Sequence, residues 1–465
     1  MPNMSLKKTS ISVQDPLKRN KNFKEVCLGY SEEEAITEAN RCLNCKNKPC
    51  KEKCPVKIDI PDFIAQIREK NYSKAYAIIN KSSSLAAVCG RVCPQETQCE
   101  SSCIRKIKGE SVAIGKLERF VADWHNENEK EFLKPTQKNI KIAIIGSGPS
   151  GISCAADLAK EGFRVTIFEA LHAPGGVLTY GIPEFRLPKR IVEKEVSNLK
   201  KLGVEIITNV VVGSSITIDE LKEKGFYAIF IASGAGLPKF MNIEGENLNG
   251  VYSANEFLTR INLMKAYEQN SQTPIYKPNK VAVVGGGNVA IDAARSAKRL
   301  GADEVYIIYR RSEKEMPARV EEIEHAKEEG IILKLLSNPV KIYGNENFFV
   351  EKIECVEMEL SEPDESGRKR PIEKKSSNFF LEVDSVIMAI GTSPNPLIKN
   401  TTPGLKTTDW GGILIDEKTA LTSKENVYAG GDAVTGAATV ILAMAAGKKA
   451  AKSIIEKIKS ENIKF

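Results

Sequence analysis

The sequence predicts an α/β protein: a helical, cysteine-rich N-terminal domain followed by two Rossmann-like nucleotide-binding domains. Three observations carry this. Eight of the eleven cysteines fall in two short runs, Cys42-x-x-Cys45-x4-Cys50-x3-Cys54-Pro55 and Cys89-x3-Cys93-Pro94-x4-Cys99-x3-Cys103. The turn Gly146-Ser-Gly148-Pro-Ser-Gly151 follows an apolar strand and opens a helix, the context that gives such a turn its meaning. The same passage recurs at Gly285-Gly-Gly287-Asn288-Val-Ala290, and two βαβ openings on one chain mean two dinucleotide domains.

Between residues 31 and 124 helical patterning is broken by the cysteine loops. Helices are expected over 31–41, 60–69 and 73–80, and Ser31-Glu-Glu-Glu34 has the form of a capping box. Short spacings ending in Cys-Pro suit [4Fe-4S] cubanes, each of which needs about four soft anionic ligands converging on one cavity. A zinc site would show two C-x-x-C knuckles, and one such pair is present. A disulfide framework belongs to small secreted domains. Spacing alone makes Cys89 the fourth ligand of the second run. Residues 132–139, with Pro135, have the composition of a linker.

The pattern then alternates. A strand over 141–145 enters the first glycine turn, a helix runs to about 161 and stops at Gly162, and a strand follows over 164–168. The second unit has its strand at 280–284, helix at 289–300, stop at Gly301 and next strand at 304–309. In each unit the glycines allow close approach of a pyrophosphate to a helix N-terminus. The units diverge at the end of the following strand. Glu169 offers a carboxylate to both hydroxyls of an unphosphorylated ribose, which favours FAD or NAD. Arg310 and Arg311 stand where NAD would want a carboxylate, and their guanidinium groups suit a 2′-phosphate, hence NADP(H); the bland alternative is a pair of surface charges. Further on, 362–377 is charged and expected as a solvated loop. Gly391 ends the apolar run 383–390, Gly430-Gly-Asp432 ends another, and a helix of small residues begins near Thr439.

Hydrophobic content of 42% and charged content of 27% are those of a globular protein, and the longest apolar stretch near the C-terminus, 437–446, is far too short to span a membrane. Residues 1–22 lack an apolar export region, so a reducing cytoplasm is the expected location. The net charge of +7 comes without interleaved aromatics, which excludes a nucleic-acid surface. Hydride exchange between nicotinamide and flavin needs stacking more than acid–base help, so no catalytic side chain is expected and His125, His172 and His325 need no chemical role.

These motifs, with Gly175-Gly176-Val-Leu-Thr-Tyr-Gly-Ile-Pro183, Tyr309-Arg-Arg-Ser and Glu315-Met-Pro-Ala-Arg319, resemble the small (β) subunits of NADPH-dependent glutamate synthase over about residues 22–458. The chain is equally similar to the large subunit of NADH-dependent reduced ferredoxin:NADP oxidoreductase and to the N-terminal half of dihydropyrimidine dehydrogenase. The resemblance implies an iron–sulfur domain at 1–135, an FAD domain at 140–250 and 388–465, and an NADPH domain inserted at 251–387. It implies FAD contacts at Gly146, Gly148, Gly151, Glu169, Gly176, Gly391, Asp432 and Thr439, and NADPH contacts at Gly285, Gly287, Asn288, Arg310 and Arg311. One cluster would take Cys42, Cys45, Cys50 and Cys103. The other would take Cys54, Cys93, Cys99 and Glu118, leaving Cys89 a bystander. The implied partner is an electron-accepting subunit: either the glutamate synthase large subunit or a smaller FAD/iron–sulfur subunit of a bifurcating complex, with ferredoxin a further possibility.

Overall fold

The structure, a computed structural model, describes residues 3–128, 135–363 and 367–461. Residues 132–134 of the expected linker and 364–366 of the expected loop lie outside the described residues. The N-terminal domain is built from short helices. Glu32–Ala39 starts at a true capping box: Ser31 Oγ accepts from Glu34 N at 3.2 Å, and Glu34 Oε2 accepts from Ser31 N at 2.7 Å. Ile60–Arg68 buries Ile60, Phe63, Ile64 and Ile67, one face at helical spacing. Ala86–Val92 packs so tightly on Ile114–Asn128 that a Cβ on Gly90 would stand 2.6 Å from the Arg119 nitrogen.

Two parallel five-stranded sheets follow. The first runs, in spatial order, Val427–Ala429, Phe226–Ile231, Lys141–Ile145, Arg164–Phe168 and Glu205–Ile207. The second runs Ile332–Leu335, Glu304–Tyr309, Lys280–Val284, Ser385–Met388 and Val251–Ser253. The chain leaves the first sheet after Ile231, builds the second, and returns to add Val427–Ala429 and the helix Val440–Ser460. The outgoing and returning segments pair as a ribbon, Leu237–Pro238 against Thr392–Ser393. The last helix lies on the helix of the first glycine turn, Pro149–Lys160; at Gly447 a Cβ would meet the Ser150 carbonyl oxygen at 2.1 Å.

The stretch 362–377 is not simply a loop. Lys369–Glu373 is a strand, antiparallel to Val350–Pro363. Most of its side chains are exposed, so it carries no apolar alternation; its main chain, rather than a buried face, holds it in place.

Buried ion pairs join the pieces. Glu329, 1% exposed, accepts from Arg19 Nε at 2.9 Å, Arg295 Nη2 at 2.6 Å and Arg299 Nη1 at 2.6 Å. Arg295 also bonds Glu322, and Arg186 reaches both oxygens of Asp292 at 2.7 Å. Arg295 and Arg299 lie over the Phe185 ring, whose backbone carbonyl accepts from Val26 N at 2.9 Å. Arg19 belongs to the N-terminal segment, Arg186 to the first nucleotide unit and the rest to the second.

Burial would push the Glu329 carboxyl up, but Arg299 and Arg295 hold it down to about 2. Its folded value lies below its unfolded value of 4.5, so its stabilisation is complete above pH 4.5 and is lost as pH falls toward 2. Glu329→Gln is expected to cost about 3–5 kcal/mol at neutral pH, because three buried cations lose their shared anion. Thermal midpoints measured from pH 7 to 3 should fall more steeply for the natural protein than for this variant.

Candidate functional site

Cys42, Cys45, Cys50 and Cys103 line one cavity, walled otherwise by Arg105 and by apolar side chains that include Ile60, Ile64 and Ile114. Asn44 and Lys48 adopt left-handed backbone, at φ of 49° and 42°, which curls the loop so that three sulfurs face inward with Cys103. Cys103 Sγ accepts from Val112 N at 3.5 Å. Burial pushes the Cys50 thiol up to about 12, so metal binding here would release a proton.

A second group forms deeper, where Cys54, Cys89, Cys93 and Cys99 are all buried. Glu118, from the helix Ile114–Asn128, is buried among them and its charge acts on all four, Cys54, Cys89, Cys93 and Cys99. Its Oε1 has no hydrogen-bond partner among the described residues, and burial pushes its carboxyl up to about 8. A buried carboxyl oxygen without a partner is costly unless something claims it. Three thiols and this carboxyl form a donor set that fits an iron–sulfur cubane. Cys89 is differently placed. Its sulfur lies 3.4 Å from Met444 Sδ in the helix Val440–Ser460, while it also interacts with Cys93.

Around the first glycine turn the close approaches are extreme. Gly151 brings its backbone so near that a Cβ would meet the Gly146 carbonyl oxygen at 2.0 Å. Gly176, at φ 53°, presses on Gly148, whose Cα would stand 2.9 Å from an added Cβ. A Cβ on Gly148 itself would enter open space. That space is a cradle over the N-terminus of Pro149–Lys160, shaped for a phosphate. Glu169 stands beside it, accepting from Ser147 N and Leu171 N, each at 2.9 Å. Asp432 follows Gly431, whose Cβ would touch Ser150 at 3.0 Å, so it joins the same group; burial raises its carboxyl to about 6. Thr439 caps the last helix, its Oγ1 accepting from Leu442 N at 3.4 Å. Gly391 lies instead at the ribbon between the sheets, its carbonyl accepting from Lys239 N at 3.0 Å.

At the second turn Gly285 approaches the Ala389 carbonyl, and Gly286 packs against the Tyr309 ring. Gly287 caps the helix Asn288–Arg299, and Asn288 Oδ1 accepts from Arg319 N at 3.1 Å. The two arginines part company. Arg310 is exposed, whereas Arg311 is 5% exposed and donates from Nε to the Lys369 carbonyl at 2.8 Å. The strand that sequence patterning does not reveal thus holds Arg311.

Other residues at these sites carry no local sequence signal. Ser147 Oγ accepts from Gly175 N at 2.9 Å and bonds Glu169, tying three loops together. Lys189, a buried ammonium, donates to the carbonyls of Leu178, Ile182 and Leu187; burial lowers its pKa to about 8. Asn262 Nδ2 donates to the Gly181 carbonyl at 3.0 Å, linking the second unit to the same loop.

Comparison with known proteins places these features. A family model described as pyridine nucleotide-disulphide oxidoreductase matches residues 140–447, and one described as dihydropyrimidine dehydrogenase domain II, 4Fe-4S cluster, matches residues 19–130. The beta subunit of an NADP(+)-dependent formate dehydrogenase from Moorella thermoacetica is 40% identical over 87% of the chain, and the chain spans only 59% of that relative. The small chain of NADPH glutamate synthase from Halomonas elongata is 34% identical over 95% of the chain and 96% of its own length. Among solved structures, Mycobacterium tuberculosis FprA in complex with NADPH shares the fold, with a TM-score of 0.58 and 22% identity over 70% of the chain and 87% of FprA. No helix among the described residues is long and apolar enough to cross a membrane.

The two glycines of the first turn should respond differently to alanine. Gly151→Ala forces a clash of backbone type and is expected to cost about 1–3 kcal/mol. Gly148→Ala should leave the thermal midpoint of the ligand-free protein unchanged while lowering the dinucleotide retained through purification.

Proposed function

The chain belongs to the pyridine nucleotide-disulphide oxidoreductase family, grouping there with the small chains of NADPH glutamate synthase, and from that premise we propose an electron-input role. It is an NADPH-dependent FAD/iron–sulfur oxidoreductase subunit that passes single electrons to a partner protein. The observation that carries this reading is the position of the deeper cysteine group against the helix Val440–Ser460. That helix also packs on the first glycine helix. Electrons released at the first nucleotide unit would therefore have thiol-bound acceptors as immediate neighbours.

In this reading Gly146, Gly148, Gly151, Glu169, Gly176, Asp432 and Thr439 hold FAD, and Gly391, at the ribbon between the sheets, stands apart from that group. Gly285, Gly287, Asn288 and Arg310 hold NADP(H), with Arg311 braced behind Arg310 by Lys369. Cys42, Cys45, Cys50 and Cys103 hold one [4Fe-4S] cluster, and Cys54, Cys93, Cys99 and Glu118 hold a second. The bound flavin supplies the conversion of a hydride into two single-electron transfers. The chain's own work is orientation: Lys189 and Asn262 fix the loop 178–187, and Arg186–Asp292 ties that loop to the second glycine helix.

The first cysteine cavity opens beside Leu43 and Ile104, which are 39% and 42% exposed, and Ile107 nearby is 77% exposed. An apolar patch over a cluster site is where an electron-accepting subunit would dock. We assign the large subunit of glutamate synthase as that partner. Anaerobic purification of the native complex tests it: a large amidotransferase subunit is expected, and a smaller flavoprotein bearing its own cluster would replace it with a bifurcating assembly.

Two substitutions test the sites. Arg310→Ala should weaken NADPH by about ten- to a hundredfold and NADH far less, since only NADPH loses a charged phosphate contact; competition binding would read this. Iron content should stay near that of the natural protein in Cys89→Ser and fall by about half in Cys99→Ser. Equal iron loss in both would return the fourth position to Cys89.

A further inference from the structure

Arg319 closes the phrase Glu315-Met-Pro-Ala-Arg319, and neither the nucleotide nor the cluster assignments use it. It is 5% exposed. Its backbone belongs to the second glycine turn: Arg319 N donates to Asn288 Oδ1 at 3.1 Å, and Ala318 N donates to the Gly286 carbonyl at 3.3 Å. Its guanidinium belongs to the cysteine run. Nη1 donates to the Arg91 carbonyl at 3.0 Å, Nη2 to Gln95 Oε1 at 3.2 Å, and Nε to Glu96 Oε1 at 3.3 Å. Nη2 also meets Glu321 Oε2 at 2.8 Å.

Arg91 and Gln95 bracket Cys93, so the cation is pinned across the backbone that presents this sulfur. A clamp between two domains could be made by a neutral amide. A buried guanidinium held at the cysteine run adds a fixed positive charge where little water screens it.

We infer that Arg319 is a positioning residue that sets the reduction potential of the cluster held by Cys54, Cys93, Cys99 and Glu118. Adding one electron makes that cluster more negative by one charge, and a pinned cation nearby favours the reduced form. Glu96 and Glu321, both partly exposed, counter that charge, and Lys116 in turn pairs with Glu321 at 2.8 Å, leaving Glu96 as the anion that opposes Arg319. The inference rests on the proposed second cluster being present.

The test is an anaerobic, mediated redox titration of the flavin-loaded protein, followed by electron paramagnetic resonance, with iron content measured in parallel. In Arg319→Gln the reduced-to-oxidised ratio of one cluster at fixed potential should fall at least tenfold, which is 59 mV for a one-electron couple. The other cluster should not move. Arg319→Lys, which keeps the charge, should recover most of the loss. Glu96→Gln, which leaves Arg319 in place and removes an offsetting anion, should shift the same cluster in the opposite direction. Full iron content with an unchanged ratio in Arg319→Gln overturns the inference, as does an equal shift of both clusters. If Arg319→Gln loses iron, Glu96→Gln decides, and an unmoved or lowered ratio there overturns it. A natural protein showing a single cluster overturns the two-cluster reading beneath it, a result separable from any variant's shift.

Discussion

Glu329 and the guanidinium groups gathered on it are the constraint from which the rest of the architecture follows. A carboxylate with 1% exposure survives only because Arg19, Arg295 and Arg299 surround it. Those cations come from the N-terminal segment and the second nucleotide unit, and the neighbouring Arg186–Asp292 pair adds the first. Three chain segments far apart in sequence are therefore held in one arrangement. Together with the Arg319 clamp and the Asn262–Gly181 bond, it gives the two glycine turns and the cysteine run a fixed relation.

The second constraint is steric. Gly151, Gly176 and Gly447 sit where a methyl group would overlap backbone, so the first nucleotide helix, the loop after Pro174 and the last helix meet with nothing between them. This closeness brings Glu169 and Asp432, from opposite ends of the domain, to one turn. It also brings Met444 to Cys89 and so sets the deeper cysteine group against the nucleotide unit. Packing and function here share one cause.

Much of this was legible in advance. The strands Lys141–Ile145, Arg164–Phe168, Lys280–Val284 and Glu304–Tyr309 have the bounds their apolar runs suggest, because each is buried on both faces and followed by glycine or charge. The Ser31 capping box is local and was equally plain. Lys369–Glu373 was not, since a strand with mostly exposed side chains has no apolar alternation to betray it. Its consequence, Arg311 turned to the Lys369 carbonyl while Arg310 stays exposed, was hidden for the same reason. Ser147 and Arg319 are polar residues whose partners lie in other segments, and Lys189 bonds main-chain carbonyls of its own loop, so periodicity could not single them out.

The sequence by itself determined the fold class, the two nucleotide units and the cysteine runs, because each is written in short-range spacing: a glycine turn between strand and helix, thiols a few residues apart. The tertiary structure decided which of these meet. It placed Glu118 among Cys54, Cys89, Cys93 and Cys99, set Cys89 against Met444, and stretched Arg319 from a glycine turn to the cysteine run. Such pairings depend on buried charge and close packing between distant segments, and neither leaves a pattern in the local order of residues.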